Sequence, residues 1–334
     1  MAFFNPTGKP LDENAFMSIP VMQLPDFRIA LAEQRKTRKN ILVHTVGGLG
    51  DMICAEPTIR KLTNLTKGKF TLVTPFPELY QHLPIRTVID ITKEKYNPAD
   101  YLVLETYLSP LGLAGEFLWH SGISAVDYAS LAVFRQMLPP SERELEIMPT
   151  NDDMDRTAAL IDGVKRPVVV HPGASWPSRT FPAGWWNAVI AGLAGRGCTP
   201  VLVGKKSENR GTVEVATHGC IDLRERLSIL ETIAVMAHSD VVITNDSAPL
   251  HMAACTGAWI GFVSTAKHPE HMMHWRHGEF GYGMEDFSKG GLWENFVMPN
   301  VYGEAVNFDE ATKEQIESWL PTACGVAEWA WTRE

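Results

Sequence analysis

No apolar run in the sequence reaches the roughly 18 residues that a membrane-spanning helix needs. The amino terminus lacks a basic stretch followed by an apolar one, so no secretory signal is legible there. Cysteine is sparse, and Cys54, Cys198, Cys220, Cys255 and Cys324 stand singly with no C-x-x-C pair. An odd number of isolated thiols argues against a disulfide framework and reads as reduced packing thiols of a cytoplasmic protein. The N-x-S/T matches at Asn64 and Asn245 then carry no glycosylation signal. Positive charge is in deficit: 30 Lys and Arg against 39 Asp and Glu leave a net charge of −9. That balance weighs against a protein held to nucleic acid by its overall field, although a local basic groove is not excluded. No internal repeat stands out.

What is present is length and apolar content. The 334 residues are 45% hydrophobic, enough for a large core, and the length favours two domains. Apolar β-branched runs alternate with segments apolar at helical spacing, the pattern of a parallel α/β protein. Strands are predicted at 41–43, 71–75, 88–91, 101–104, 168–170, 199–204, 241–244 and 260–263. Helices are predicted at 26–36, 52–65, 125–138, 157–161, 185–193, 227–238, 250–255 and 308–320. Residues 1–39 read as an amino-terminal arm whose basic cluster, Arg35 to Lys39, is a solvated helix end. Pro139-Pro140 opens a charged segment that separates a domain of residues 40–150 from one of residues 156–305. Residues 306–334 read as a helix, capped by Asp309, and a tail; Trp319, Trp329 and Trp331 pack it back on the body.

Three loops carry the chemistry. Val168-Val169-Val170 is a buried strand stopped by His171-Pro172-Gly173, where Pro removes a donor and Gly permits a sharp fold. Small residues follow, among them Ser175, and then Arg179 before a helix. A strand, a small-residue loop with a cation and a helix start make a candidate diphosphate seat; the same sequence also describes an ordinary βα loop with a solvated Arg. In the second loop, 44–51, Gly47, Gly48 and Gly50 allow close backbone approach. The dinucleotide fingerprint is incomplete there, because Ile53 stands where a third Gly belongs, and no acid follows the second strand. Asp51 reads either as a helix cap or as a carboxylate able to take a hydroxyl proton. The third loop, Asn245-Asp246-Ser247-Ala248-Pro249-Leu250-His251, sets polar residues at a strand-to-helix turn, suited to a phosphate or sugar. His251 is equally an ordinary core histidine.

Other residues have weaker readings. Gly204 ends the strand at 199–204, and Glu208 beyond it either accepts from ribose hydroxyls or starts a helix. Asp153-Met154-Asp155 matches an acid-x-acid metal pattern, but its place before a helical run favours capping. His268, His271, His274 and His277 recur at intervals of three, yet their helical directions fan apart and no H-E-x-x-H pattern exists. No metal is expected.

Together the three segments resemble the heptosyltransferase-like glycosyltransferases, inverting GT-B enzymes that include ADP-heptose:lipopolysaccharide heptosyltransferases. Gly47 to Met52 is similar to that family's first loop, His171 to Pro182 to its H-P-G-A segment, and Thr244 to Ala254 to its N-D-[ST]-G-x-x-H segment. The likeness spans residues 40–266, with Arg179 where the family has Lys, Phe181 for Trp and Ala248 for Gly. It implies an α/β GT-B fold of two Rossmann-like domains facing across a cleft. It also implies metal-independent glycosyl transfer from a nucleotide-diphosphate sugar, an ADP-heptose-like co-substrate, with no cofactor. Asp51 falls on the general base. Gly48, Gly50, His171, Pro172, Gly173, Ser175, Arg179, Gly204, Glu208, Asp246, Ser247, Ala248 and His251 fall on the donor side. The implied partner is a glycan or lipid-linked glycan such as a lipopolysaccharide core, which allows peripheral membrane contact; a nucleic-acid base is less favoured. A monomer is expected.

Overall fold

A computed structural model describes residues 26–106, 123–173, 179–208, 211–212, 214–264, 267–288, 314 and 317–331. The chain divides into two compact units, Met1–Ile147 with Met273–Tyr282, and Met148–Met272 with Gly283–Glu334.

The first unit opens with α1 (Phe27–Thr37), capped by Asp26, whose side chain accepts from the Ile29 N–H. Then come β1 (Asn40–His44), α2 (Leu49–Thr66), β2 (Thr71–Thr74), β3 (Thr87–Asp90), β4 (Tyr101–Glu105) and α3 (Ala125–Phe134). The four strands are parallel in the order β3-β2-β1-β4. Ile41, Leu42 and Val43 are buried, which explains the unbroken apolar run of β1. Glu56 of α2 is fully buried and ionically held: Arg60 Nε lies 2.9 Å and His82 Nε2 3.2 Å from its Oε1, and the Glu146 N–H donates to Oε2 at 3.2 Å. Arg60 also reaches Glu146 Oε1 at 2.6 Å, so one charged network fastens α2 to the segment that closes the unit.

The second unit begins with α4 (Asn151–Ile161), β5 (Pro167–His171), α5 (Ala183–Gly195), β6 (Thr199–Leu202), β7 (Ser207–Glu208), β8 (Gly211–Thr212) and β9 (Ile221–Asp222). It continues with α6 (Ile229–Ala237), β10 (Val241–Asn245), α7 (Ala248–Ala254), β11 (Trp259–Val263) and α8 (Pro269–Met272). The chain then contributes the antiparallel pair β12 (Trp275–Arg276) and β13 (Glu279–Phe280) to the first unit, and returns for β14 (Met284–Asp286) and α9 (Leu320–Trp331). Six parallel strands form the second sheet in the order β14-β11-β10-β5-β6-β9. Its core holds Val168, Val170, Phe181, Trp185, Trp186 and Ile243, with Trp319, Ala323, Val326 and Ala327 beside them. Phe181 meets Trp185 at 5.1 Å and Trp319 at 6.2 Å between ring centres, so this position is an aromatic core residue. A Cβ on Gly192 would come within 2.6 Å of Cys324 Sγ, which shows how closely α9 approaches α5.

Several expected boundaries move. The helix after the first loop starts at Leu49 rather than residue 52, because the Asp51 carboxylate, in the first turn, accepts from the Gly48 N–H and caps the helix there. Gly50 therefore lies in the first helical turn, not in the loop. The helix expected at 157–161 starts at Asn151, and Asp153 is its capping partner: Thr150 N and Oγ1 donate to Asp153 Oδ2 at 3.0 and 2.6 Å. Much of the helix predicted at 308–320, with Asp309, lies outside the described residues; the carboxyl-terminal helix is found at Leu320–Trp331. No helix among the described residues is long and apolar enough to cross a membrane.

Candidate functional site

The order of the second sheet places its site. From β5 the chain adds β6 and β9 on one side, and from β10 it adds β11 and β14 on the other. The order reverses between β5 and β10, and open α/β sheets bind ligands beyond the carboxyl ends of such a pair. Thr244 of β10 is in register with His171 of β5, so two of the three predicted loops leave the sheet side by side.

These loops are joined by a buried polar network. Ser247 Oγ donates to Asn245 Oδ1 at 2.6 Å, and Asn245 Nδ2 donates to the Arg179 carbonyl at 2.6 Å. Arg179 NH1 in turn donates to the Asp246 carbonyl at 2.5 Å, and Arg179 Nε lies 3.6 Å from Asp246 Oδ1. Arg179 is thus buried and ion-paired, which corrects the picture of a solvated surface charge. Its guanidinium is held in place by the Asp246 carboxylate, as a preorganised cation must be in a site that water leaves.

His171 sits beneath the network. Its Nδ1 is 3.2 Å from Thr244 Oγ1 and 3.4 Å from Ser247 Oγ. Both hydroxyls spend their protons on Asn245, Thr244 on the carbonyl and Ser247 on Oδ1, so Nδ1 carries the hydrogen and donates. Burial pushes the His171 pKa down to about 4, with the Asn245 side chain partly opposing, so the ring is neutral at physiological pH. A Cβ on Gly173 would lie 2.2 Å from His171 Cε1, and one on Gly204 would lie 2.5 Å from Cδ2. Gly204 also has φ +96°, so both its space and its backbone call for glycine.

The remaining predicted donor residues fall as follows. Pro172 is buried beside His171. Ser247 is the N-cap of α7 and Ala248 its first residue, two positions before the predicted start, with Pro249 tolerated in the first turn. His251 is buried in the last turn of the same helix. Ser175 lies outside the described residues, and Glu208 is placed only as backbone of β7. The histidines at 268–277 share no helix: His268 and His271 belong to the second unit, His274 and His277 to the first.

In the first unit, the Gly48 N–H donates to Asp51 Oδ2 at 2.9 Å, so the carboxylate that reads as base or cap does cap α2. Two further polar groups, one in each unit, went unread in the sequence. His44 ends β1 opposite Glu105 at the end of β4, with Nδ1 3.1 and 3.0 Å from the two carboxylate oxygens. Asp286, at the end of β14, accepts from the Ser264 N–H at 3.2 Å and from Ser288 Oγ at 2.8 Å. Burial raises its pKa to about 6, against the opposing hydrogen bonds from Ser288 and Ser264. Neither residue has a motif around it; strand pairing brings Glu105 to His44 and Ser264 to Asp286, and Ser288 lies two positions beyond Asp286.

Residues 127–259 match the family model "Glycosyltransferase family 9 (heptosyltransferase)", a span that contains His171, Arg179 and Asp246 but not Asp51. Over those residues the chain is similar to the heptosyltransferases. Its fold is the GT-B fold, and similar solved structures are glycosyltransferases. A glycosyl transferase family 9 protein from Veillonella parvula DSM 2008 superposes with a TM-score of 0.55 at 16% identity, over 85% of this chain and 98% of that one. The iron-containing dodecameric glycosyltransferase TibC from enterotoxigenic E. coli H10407 gives 0.59 at 15%, over 88% and 77%. The E. coli ADP-heptose lps heptosyltransferase II gives 0.54 at 15%, over 86% and 99%. No curated protein sequence matches the chain. The matched segment includes the second unit's network of Arg179, Asn245, Asp246 and Ser247.

Proposed function

We propose that the protein transfers a sugar, with inversion, from a nucleotide-diphosphate sugar to a hydroxyl acceptor. The observation that carries this reading is the buried network at the β5–β10 switch point, which fixes a cation and small-residue loops where a diphosphate would sit. Arg179 and the loop N–H groups stabilise charge growing on the leaving diphosphate. Asp51 accepts the acceptor's proton as its oxygen attacks the anomeric carbon. Its engaged Oδ2 keeps the carboxylate oriented at the amino-terminal end of α2. The resemblance supports an ADP-heptose-like donor and a lipopolysaccharide-type acceptor, handled in the cytoplasm by a monomer without a metal. TibC is described as dodecameric and iron-containing, so light scattering and metal analysis of the purified protein test those two points.

Asp51→Asn is the direct test, because Asn retains an acceptor for the Gly48 N–H and preserves the cap. Transfer from ADP-heptose should fall by about 10²-fold or more while ADP binding stays unchanged. Undiminished transfer would remove Asp51 from this role. Binding of ADP with no transfer by the wild type would leave a nucleotide-sugar-binding protein instead.

A further inference from the structure

The first unit has a switch point of its own. In the order β3-β2-β1-β4 the sheet grows from β1 in one direction and adds β4 in the other, and ligands of open α/β sheets bind beyond the carboxyl ends of such a pair, here beyond His44 and Glu105. The backbone there is fastened on both sides. Thr45 N and Oγ1 both donate to the Val73 carbonyl at 2.9 Å, and the Thr106 N–H donates to the His44 carbonyl at 3.2 Å. The Tyr96 ring flanks the imidazole at 6.1 Å, and its phenol, whose pKa burial and then Glu105 raise, is the second titratable neighbour.

Glu105 can only accept while ionised, so it takes the Nδ1 hydrogen and leaves the lone pair on Nε2. A carboxylate that holds one imidazole nitrogen and readies the other is the logic of hydrolase triads. His44 Nε2 is buried and meets no hydrogen-bond partner among the described residues, while the side chain as a whole stays 20% exposed. An unpaired buried acceptor is costly, and a ligand hydroxyl would relieve that cost.

We propose that His44, oriented by Glu105, accepts a hydrogen bond from a hydroxyl of the sugar acceptor and so selects and aims it. This rests on the glycosyl-transfer reading above. The test compares the wild type with His44→Phe, His44→Gln and Glu105→Gln, using ADP-heptose as donor and a lipopolysaccharide core lacking heptose as acceptor. His44→Phe keeps a ring without a lone pair. It should raise the acceptor KM about tenfold or more, a loss of roughly one hydrogen bond, and leave the donor KM within about twofold. His44→Gln, whose carbonyl can accept, should recover part of the loss, and Glu105→Gln should fall between. An unchanged acceptor KM in His44→Phe overturns the proposal, as does an equal rise in both KM values. A wild type that transfers nothing defeats the glycosyl-transfer reading, and this proposal with it. Nitrogen-15 spectra of the wild type supply a readout that survives poor folding of any variant: a bare His44 Nε2 agrees, and a protonated one contradicts.

Discussion

His171 is defined by what its neighbours lack. Without a Cβ on Gly173 or Gly204, the ring packs against backbone and donates to Thr244. The same burial that orders it also denies it a proton. Its pKa is about 4 in the folded protein and about 6.5 when exposed. The unfolded chain therefore binds more protons between those values, so this contribution is complete above pH 6.5 and is lost as pH falls through 4. Relative to His171→Asn, the wild type should lose up to about 3 kcal/mol of stability between pH 7 and 4. Denaturant titrations at several pH values check this, and parallel curves for the two proteins would contradict it. Differences matter here, because Asp127 and Asp286, both raised to about 6 by burial, titrate in the opposite sense over part of the range.

At the level of elements, caps decided what the sequence made legible. The strands were readable because Val168 to Val170 and Val241 to Ile243 are covered on both faces, leaving unbroken apolar runs. Helix starts were less so. Leu49, Asn151 and Ala248 begin helices two to six positions early, because Gly48, Thr150 and Ser247 lie outside the apolar periodicity that marks a helix body. The residues of the second unit's network were legible as strings, since His171, Arg179 and Asn245 to Ser247 stand in compact segments. The His44–Glu105 pair was not, as its members are 61 positions apart and only the β1–β4 register joins them. One cap offers a plain test. Thr150→Ala removes the acceptor for the Asp153 N–H and should cost about 1 kcal/mol in denaturant unfolding, with nucleotide binding unaltered. A loss under a few tenths would show that α4 is held by packing alone.

Across the whole molecule, topology assigns the chemistry. Each unit is a parallel sheet with one reversal of strand order, and at each reversal a strand-ending histidine meets polar residues of the neighbouring strand or its loop: His44 with Glu105, His171 with Thr244 and Ser247. The second unit adds the buried Arg179–Asp246 pair, so its reversal is suited to a diphosphate; the first offers acids and an imidazole, suited to a hydroxyl. The claim on which the rest depends is that the second unit's reversal seats a nucleoside diphosphate. Calorimetric titration of the intact protein with ADP, GDP and UDP, repeated with Arg179→Lys, tests it most directly. One of the three should bind at a single site per chain, and Arg179→Lys should weaken it about tenfold, because the compact ammonium loses the planar fork. Absence of binding by all three, or equal binding by Arg179→Lys, would contradict the account.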